Sequence, residues 1–178
     1  MMDIRKLCML GMLLLVAGCT SNARTIDTND TPLLSIEELG FLAGKWQGEL
    51  EYLNYGDDKT LVKLPTRVSY SEPQDSISYQ LIFTEPNGDE IEGSGSIKIE
   101  DERVIYNGAS HKVVDRTQNE AEGTQIKLSR QGKDNNRDAQ IDHVIHYKDD
   151  SLSITRYILL EGAEAPFVRH TYRFNRAE

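Results

Sequence analysis

The chain has 178 residues, of which 38% are hydrophobic and 28% charged, with a formal net charge of −9. That length is most simply one domain, and an acidic chain without a basic run lacks the positive footprint of a nucleic-acid binder. Its two cysteines, Cys8 and Cys19, both lie close to the N-terminus, so the body of the chain must be held by its core and not by a disulfide framework.

The N-terminal segment has the order of a secretory signal. Arg5 and Lys6 precede an apolar run from Leu7 to Ala17, followed by Gly18-Cys19. The run is too short for a transmembrane helix, which needs about 20 residues. Leu15-Val16-Ala17-Gly18-Cys19 resembles the lipobox of bacterial lipoproteins; an ordinary signal peptide that happens to contain a cysteine is the alternative. The resemblance implies that residues 1–18 are removed, that Cys19 is acylated and that the chain meets the membrane through this lipid anchor. Each buried CH₂ of such an anchor contributes about 0.8 kcal/mol, so two or three chains hold firmly where one is marginal. Thr20 stands where the family carries Asp for inner-membrane retention, which implies the outer membrane of the bacterial cell envelope, facing the periplasm. Loss of Asp3, Arg5 and Lys6 with the signal leaves a mature net charge of −10.

Residues 19–34 are polar and without periodicity, and predict a flexible tether. Ser35-Ile36-Glu37-Glu38 has the order of a capping box and predicts a short helix from Ile36 that Gly40 and Gly44 soon stop. From Trp46 to the end the apolar period is two. Trp46, Leu50 and Tyr52 share one face, then Val62, Leu64, Val68 and Tyr70, then Ile77, Tyr79, Leu81 and Phe83, and so on to Val168, Tyr172 and Phe174. Turn signals such as Pro86-Asn87-Gly88, Asn107-Gly108 and Asp149-Asp150 separate the runs. Some eight to ten strands over residues 35–178, without a crossover helix, predict an all-β antiparallel up-and-down barrel, with a two-sheet sandwich as the alternative.

Gly44-Lys45-Trp46 at the start of the first strand resembles the Gly-x-Trp signature of lipocalins and related calycin barrels. The resemblance implies that Trp46 closes one end of the barrel against an arginine from near the last strand, Arg173 or Arg176. Phe41 to Gly48 also looks like the opening of the haem-binding nitrobindins. Their Gly-rich continuation is replaced by Glu49-Leu50-Glu51-Tyr52, and no cofactor is expected.

Polar residues embedded in the inward faces mark the candidate site. A two-residue turn at Asp149-Asp150 sets His143 opposite Arg156. The next hairpin sets either His170 or Tyr172 opposite Arg156. Both registers gather His143, Arg156, His170 and Tyr172 in one interior patch; with the inward Tyr79 these are the candidate ligand-binding residues, and a buried arginine demands an anion. His170-Thr171-Tyr172 is similar to the basic and tyrosine positions near the last strand of fatty-acid-binding barrels, with His where they prefer Arg. The alternative is that Arg156 pairs with an inward carboxylate such as Asp115, or reaches solvent at a barrel mouth. Gly93 is expected opposite Phe83 and Gly95 opposite Leu81 on an inward face, where they either hollow the barrel or let it coil.

Other motifs fail on spacing. Asp134 to Asp138 begins like a calcium loop but has Ala139 and Ile145 where glycine and glutamate are required, and is expected to be a solvated hairpin. His143 and His146 fall on opposite strand faces, His111 stands alone, and no metal site is expected. Gly93-Ser94-Gly95 is not a nucleophile elbow. The sequence therefore predicts a binding protein for a small apolar or anionic amphiphile, not an enzyme. The alternative is an envelope interaction or maintenance protein whose barrel is packed solid.

Overall fold

A computed structural model describes residues 33–178. The signal segment, Cys19 and almost all of the expected tether lie outside the described residues. Ten antiparallel strands form a closed barrel in which each strand pairs with its neighbours in sequence and the first pairs with the last. They are β1 Gly44–Leu53, β2 Leu61–Tyr70, β3 Ile77–Thr84, β4 Glu90–Glu100, β5 Arg103–Tyr106, β6 Ala109–Asn119, β7 Gly123–Asp134, β8 Arg137–Lys148, β9 Ser151–Leu160 and β10 Phe167–Arg176. This is the antiparallel up-and-down barrel that the period-two pattern predicts, and it is consistent with the lipocalin-like fold that the Gly44-Lys45-Trp46 resemblance implies. A sandwich is excluded by the β1–β10 ladder, which runs from Trp46↔Arg176 to Tyr52↔His170.

The inward faces supply the core. Trp46, Val68, Ile77, Ile126, Leu128, Leu152 and Phe174 are all nearly inaccessible and belong to one cluster, each large side chain contributing about 1.5–3 kcal/mol by leaving water. Four of the hairpins close with two-residue turns at Asp101-Glu102, Asn107-Gly108, Asn135-Asn136 and Asp149-Asp150. Both turn residues have positive φ in every case. Mirror-image turns of this kind match the right-handed strand twist, and Asn, Asp and Gly tolerate them best.

The N-terminal helix is a 3₁₀ helix, Glu37–Leu42, and only half of the capping box forms: the Ser35 N–H donates to Glu38 Oε2 at 2.8 Å, with no side-chain cap in return. Arg116 of β6 fastens this segment to the barrel through Glu38 and the Leu33 carbonyl. Leu34, the last residue of the expected tether, is already buried in the core.

The β8–β9 register is the predicted one, with His143↔Arg156 and Tyr147↔Leu152. In the next hairpin His170, not Tyr172, stands opposite Arg156, and a bulge lies between Val168 and His170. That bulge reverses the alternation, so Val168 points outward, 44% exposed, while Arg169 is fully buried. The β3–β4 loop turns on Pro86-Asn87-Gly88, closed by Glu85 N–H to Asp89 O at 2.8 Å. The glycines therefore sit two residues earlier than expected: Gly93 faces Leu81 and Gly95 faces Tyr79.

The Asn107-Gly108 turn ends β5 after four residues, so β4 pairs across to it only from Ile97 to Glu100. On the other side β7 pairs with β6 only as far as Ser129. At the barrel end away from Trp46, β4 and β7 thus extend beyond the short β5–β6 hairpin that joins them.

Candidate functional site

The closed end of the barrel is built around Trp46. Its Nε1–H donates to the Leu42 carbonyl at 2.7 Å, and the Arg176 guanidinium lies 4.2 Å from the ring centroid. Arg176 also donates to the carbonyls of Ala43 and Phe41 and pairs with Asp150. Of the two arginines open at the sequence level, Arg176 is the one at the tryptophan. Arg173 pairs with Glu49 and Glu51 on the outer face. Gly44 has φ +107°, and a Cβ there would come within 3.0 Å of the Arg176 side chain.

Deeper in the barrel, Tyr79, His143, Arg156, His170 and Tyr172 line one cavity of about 140 Å³. They arrive from β3, β8, β9 and β10, brought together by inward positions on paired strands. Tyr70, Tyr106 and Asn107, which sequence reasoning did not assign to the site, complete its polar wall. The Tyr79 hydroxyl donates to Asn107 Oδ1 at 2.8 Å. A Cβ on Gly95 would stand 2.1 Å from that oxygen and 2.5 Å from the tyrosine hydroxyl. Gly95 thus makes room for the Tyr79–Asn107 pair, while Gly93 meets only the Leu81 carbonyl at 4.0 Å.

His111 does not stand alone. Its ring is fully buried 5.2 Å from that of His143, and its Nδ1 lies 2.8 Å from the Ala109 carbonyl. His146, on the opposite face of β8, instead meets the Glu122 carbonyl at 2.8 Å.

The electrostatics of this interior are cationic. Burial, with the proximity of His111, His170, Arg156 and Arg130, pushes His143 down to about 3. Burial and the arginines 156 and 169 push His170 down to about 4. Both imidazoles are therefore neutral at neutral pH. Burial and then Arg156 lower Arg130 from its ordinary value. Burial raises Tyr70, Tyr106 and Tyr172, so their phenols stay protonated. His143 Nδ1, His111 Nε2, Arg130 Nε and Arg156 Nε are buried without a hydrogen-bond partner. Groups of that kind in a native interior call for an explanation.

Arg156 does have an internal carboxylate nearby, and it is not Asp115, which is exposed on β6 beside a bulge. It is Asp134, 2% exposed, whose Oδ1 lies 3.5 Å from an Arg156 terminal nitrogen. The segment expected as a solvated hairpin loop thus holds a buried acid, and only Asn135-Asn136 form the turn. The other oxygen of Asp134 is taken by Arg169. Arg169 lies between the rings of Tyr55 and Phe167, 4.4 and 4.9 Å away, and also binds Asp58 Oδ1 at 2.8 Å. Burial works against its charge, but Asp58 and Asp134 together hold it above the ordinary arginine value. Asp58 pairs in turn with Arg137. The single charge of Asp134 is divided between two guanidiniums, and Arg130 makes no ion pair among the described residues.

The cavity lining itself contains one permanent cation, two imidazoles, four phenols and an amide, with no carboxylate. Such a lining can hold an anion and exclude a second cation. Among the described residues no three His, Cys, Asp or Glu side chains converge as a metal site. No protein-family model matches the chain, and no curated protein sequence matches it.

Proposed function

We propose that this protein is a lipid-anchored barrel of the bacterial cell envelope that holds a small anionic amphiphile in its interior, as a binding protein and not as an enzyme. The anchor rests on the lipobox-like sequence at Cys19. The ligand rests on one observation: the interior cavity is lined by Arg156 and seven neutral polar groups, without a carboxylate. Asp134 offsets the guanidinium only in part, because it also serves Arg169 and because Arg130 adds a further cation beside Arg156. An entering anion meets the Arg156 and His143 side chains in a largely buried setting, which is where a charge-assisted hydrogen bond is strongest.

A specific observation favours a second reading, a packed barrel whose outer surface does the work. The Arg156–Asp134 contact is itself an internal neutralisation, and the cavity is small beside the 300–1,000 Å³ common for drug-sized ligands. The two separate by mass spectrometry of small molecules carried by the purified full chain and by its Arg156→Leu variant. A molecule retained by the wild type and lost from the variant supports the binding role; none in either, with thermal stability indifferent to added small acids, leaves the packed barrel. The anchor has its own test. Cys19→Ser is expected to release the protein from the membrane fraction, and retention there would contradict lipidation.

A further inference from the structure

Size, charge and wall chemistry together narrow what the cavity takes. Its volume of about 140 Å³ is close to the roughly 150 Å³ of an apolar protein cavity that admits benzene, so one six-membered ring fits and a long acyl chain does not. The permanent charge on its lining is the one guanidinium of Arg156, which balances a monoanion better than a phosphate dianion. The walls are largely aromatic. Tyr70 and Tyr79 lie 5.2 Å apart, Tyr106 meets His143 edge-on at 5.2 Å, and Tyr172 stacks on Phe174 at 5.7 Å. A flat ring among them finds offset and edge-to-face partners at the 4.5–7 Å centroid spacings that such pairs prefer, whereas a saturated body of equal volume finds only area.

We infer that the ligand class is a monocyclic aromatic carboxylate of benzoate size, its ring among Tyr70, Tyr106 and Tyr172 and its carboxylate on Arg156 and His143. This rests on the reading of the barrel as an anion binder. The polar end fits a carboxylate in detail. Arg156 and His143 both line the cavity, His143 is more than nine-tenths buried, and Arg156 Nε and His143 Nδ1, covered by the fold, have no hydrogen-bond partner in it. The Tyr79 hydroxyl is already committed to Asn107, so it orients the wall and leaves the guanidinium and the imidazole to meet the anion.

The test is calorimetric titration of the full chain, purified in an alkyl maltoside, with benzoate, cyclohexanecarboxylate, benzyl alcohol and decanoate. Benzoate is expected to bind, with cyclohexanecarboxylate several-fold weaker and benzyl alcohol and decanoate at least tenfold weaker. Arg156→Leu is expected to cost benzoate about 10- to 100-fold, the range for losing a charged hydrogen-bond donor. Leu81→Phe fills the cavity while keeping Arg156 and is expected to abolish benzoate binding. Decanoate binding as tightly as benzoate would overturn the ligand class and leave the anion-binding role standing. No binding of either acid at millimolar concentration would overturn both, and wild-type benzoate affinity in Leu81→Phe would move the ligand out of this cavity and end the proposal.

Discussion

Arg176 lies over Trp46, 4.2 Å from guanidinium carbon to ring centroid, while donating to the Ala43 and Phe41 carbonyls at 2.8 and 3.1 Å. The pair welds the last strand to the carbonyls left unpaired where the 3₁₀ helix ends. Arg176→Ala removes a cation–π contact of about 0.5–2 kcal/mol and leaves those carbonyls unpaired, so an overall loss of about 2–4 kcal/mol is expected. Arg176→Lys keeps the charge but not the fork, and is expected to recover less than half of it. Urea unfolding midpoints of the two variants check both figures.

Arg169 and Asp134 carry a larger stake, because both are essentially inaccessible. Removing one partner strands a buried charge, and Asp134→Leu or Arg169→Leu alone is expected to cost about 3–5 kcal/mol. The loss in the double variant is expected to fall well below the sum of the two single losses, since each replacement removes the charge that the other strands. Additive losses in a urea double-mutant cycle would show that the two side chains do not act as a pair.

How much of this was legible in the sequence depends on the strand. Where the alternation is unbroken, as in β8 and β9, a two-residue turn fixes the register, and His143 opposite Arg156 follows from counting. The same counting fails in β10, because the bulge at Val168–His170 adds one residue and turns an apparently outward Arg169 into a fully buried cation. Asp134 was hidden for a related reason: beside two asparagines it has the composition of a solvent loop, and only the two-residue turn at Asn135-Asn136 makes it the last residue of an inward face. His111 looks isolated in the sequence because its neighbour His143 lies 32 positions further along the chain and two strands away. The four residues gathered around Arg156 are legible because a polar residue on an apolar face is visible in the sequence itself.

Gly93 and Gly95 make a matched pair for testing the wall of the cavity. Both sit on β4 opposite tyrosine or leucine, yet only Gly95 touches the Tyr79–Asn107 hydrogen bond. Gly95→Ala would drive a methyl group into it and is expected to cost about 1–3 kcal/mol, the range for overpacking. Gly93→Ala, with its nearest neighbour at 4.0 Å, is expected to be neutral or slightly stabilising through reduced freedom of the unfolded chain. Thermal unfolding of the two variants distinguishes them, and equal losses would mean that the glycines serve sheet coiling and not the cavity wall.

The depressed imidazoles make stability depend on pH in a defined direction. His170 is held at about 4 and His143 at about 3, against 6.5 for a free side chain. Between pH 6.5 and those values the unfolded chain takes up protons that the fold refuses, so stability falls as pH falls. At 1.36 kcal/mol per unit, going from pH 7 to 4.5 costs about 2–3 kcal/mol for each imidazole. Above pH 7 neither group contributes a slope. His143→Gln and His170→Gln keep a polar side chain that cannot titrate, so each is expected to flatten the acid limb by about that amount in urea midpoints measured at pH 7 and 4.5. An unchanged limb in both variants would mean that the imidazoles titrate inside the barrel as they do in the unfolded chain, and that the fold does not hold them neutral. The cavity would then gain up to two positive charges beside Arg156 as pH falls below 6.5, and its affinity for an anion would rise over that range.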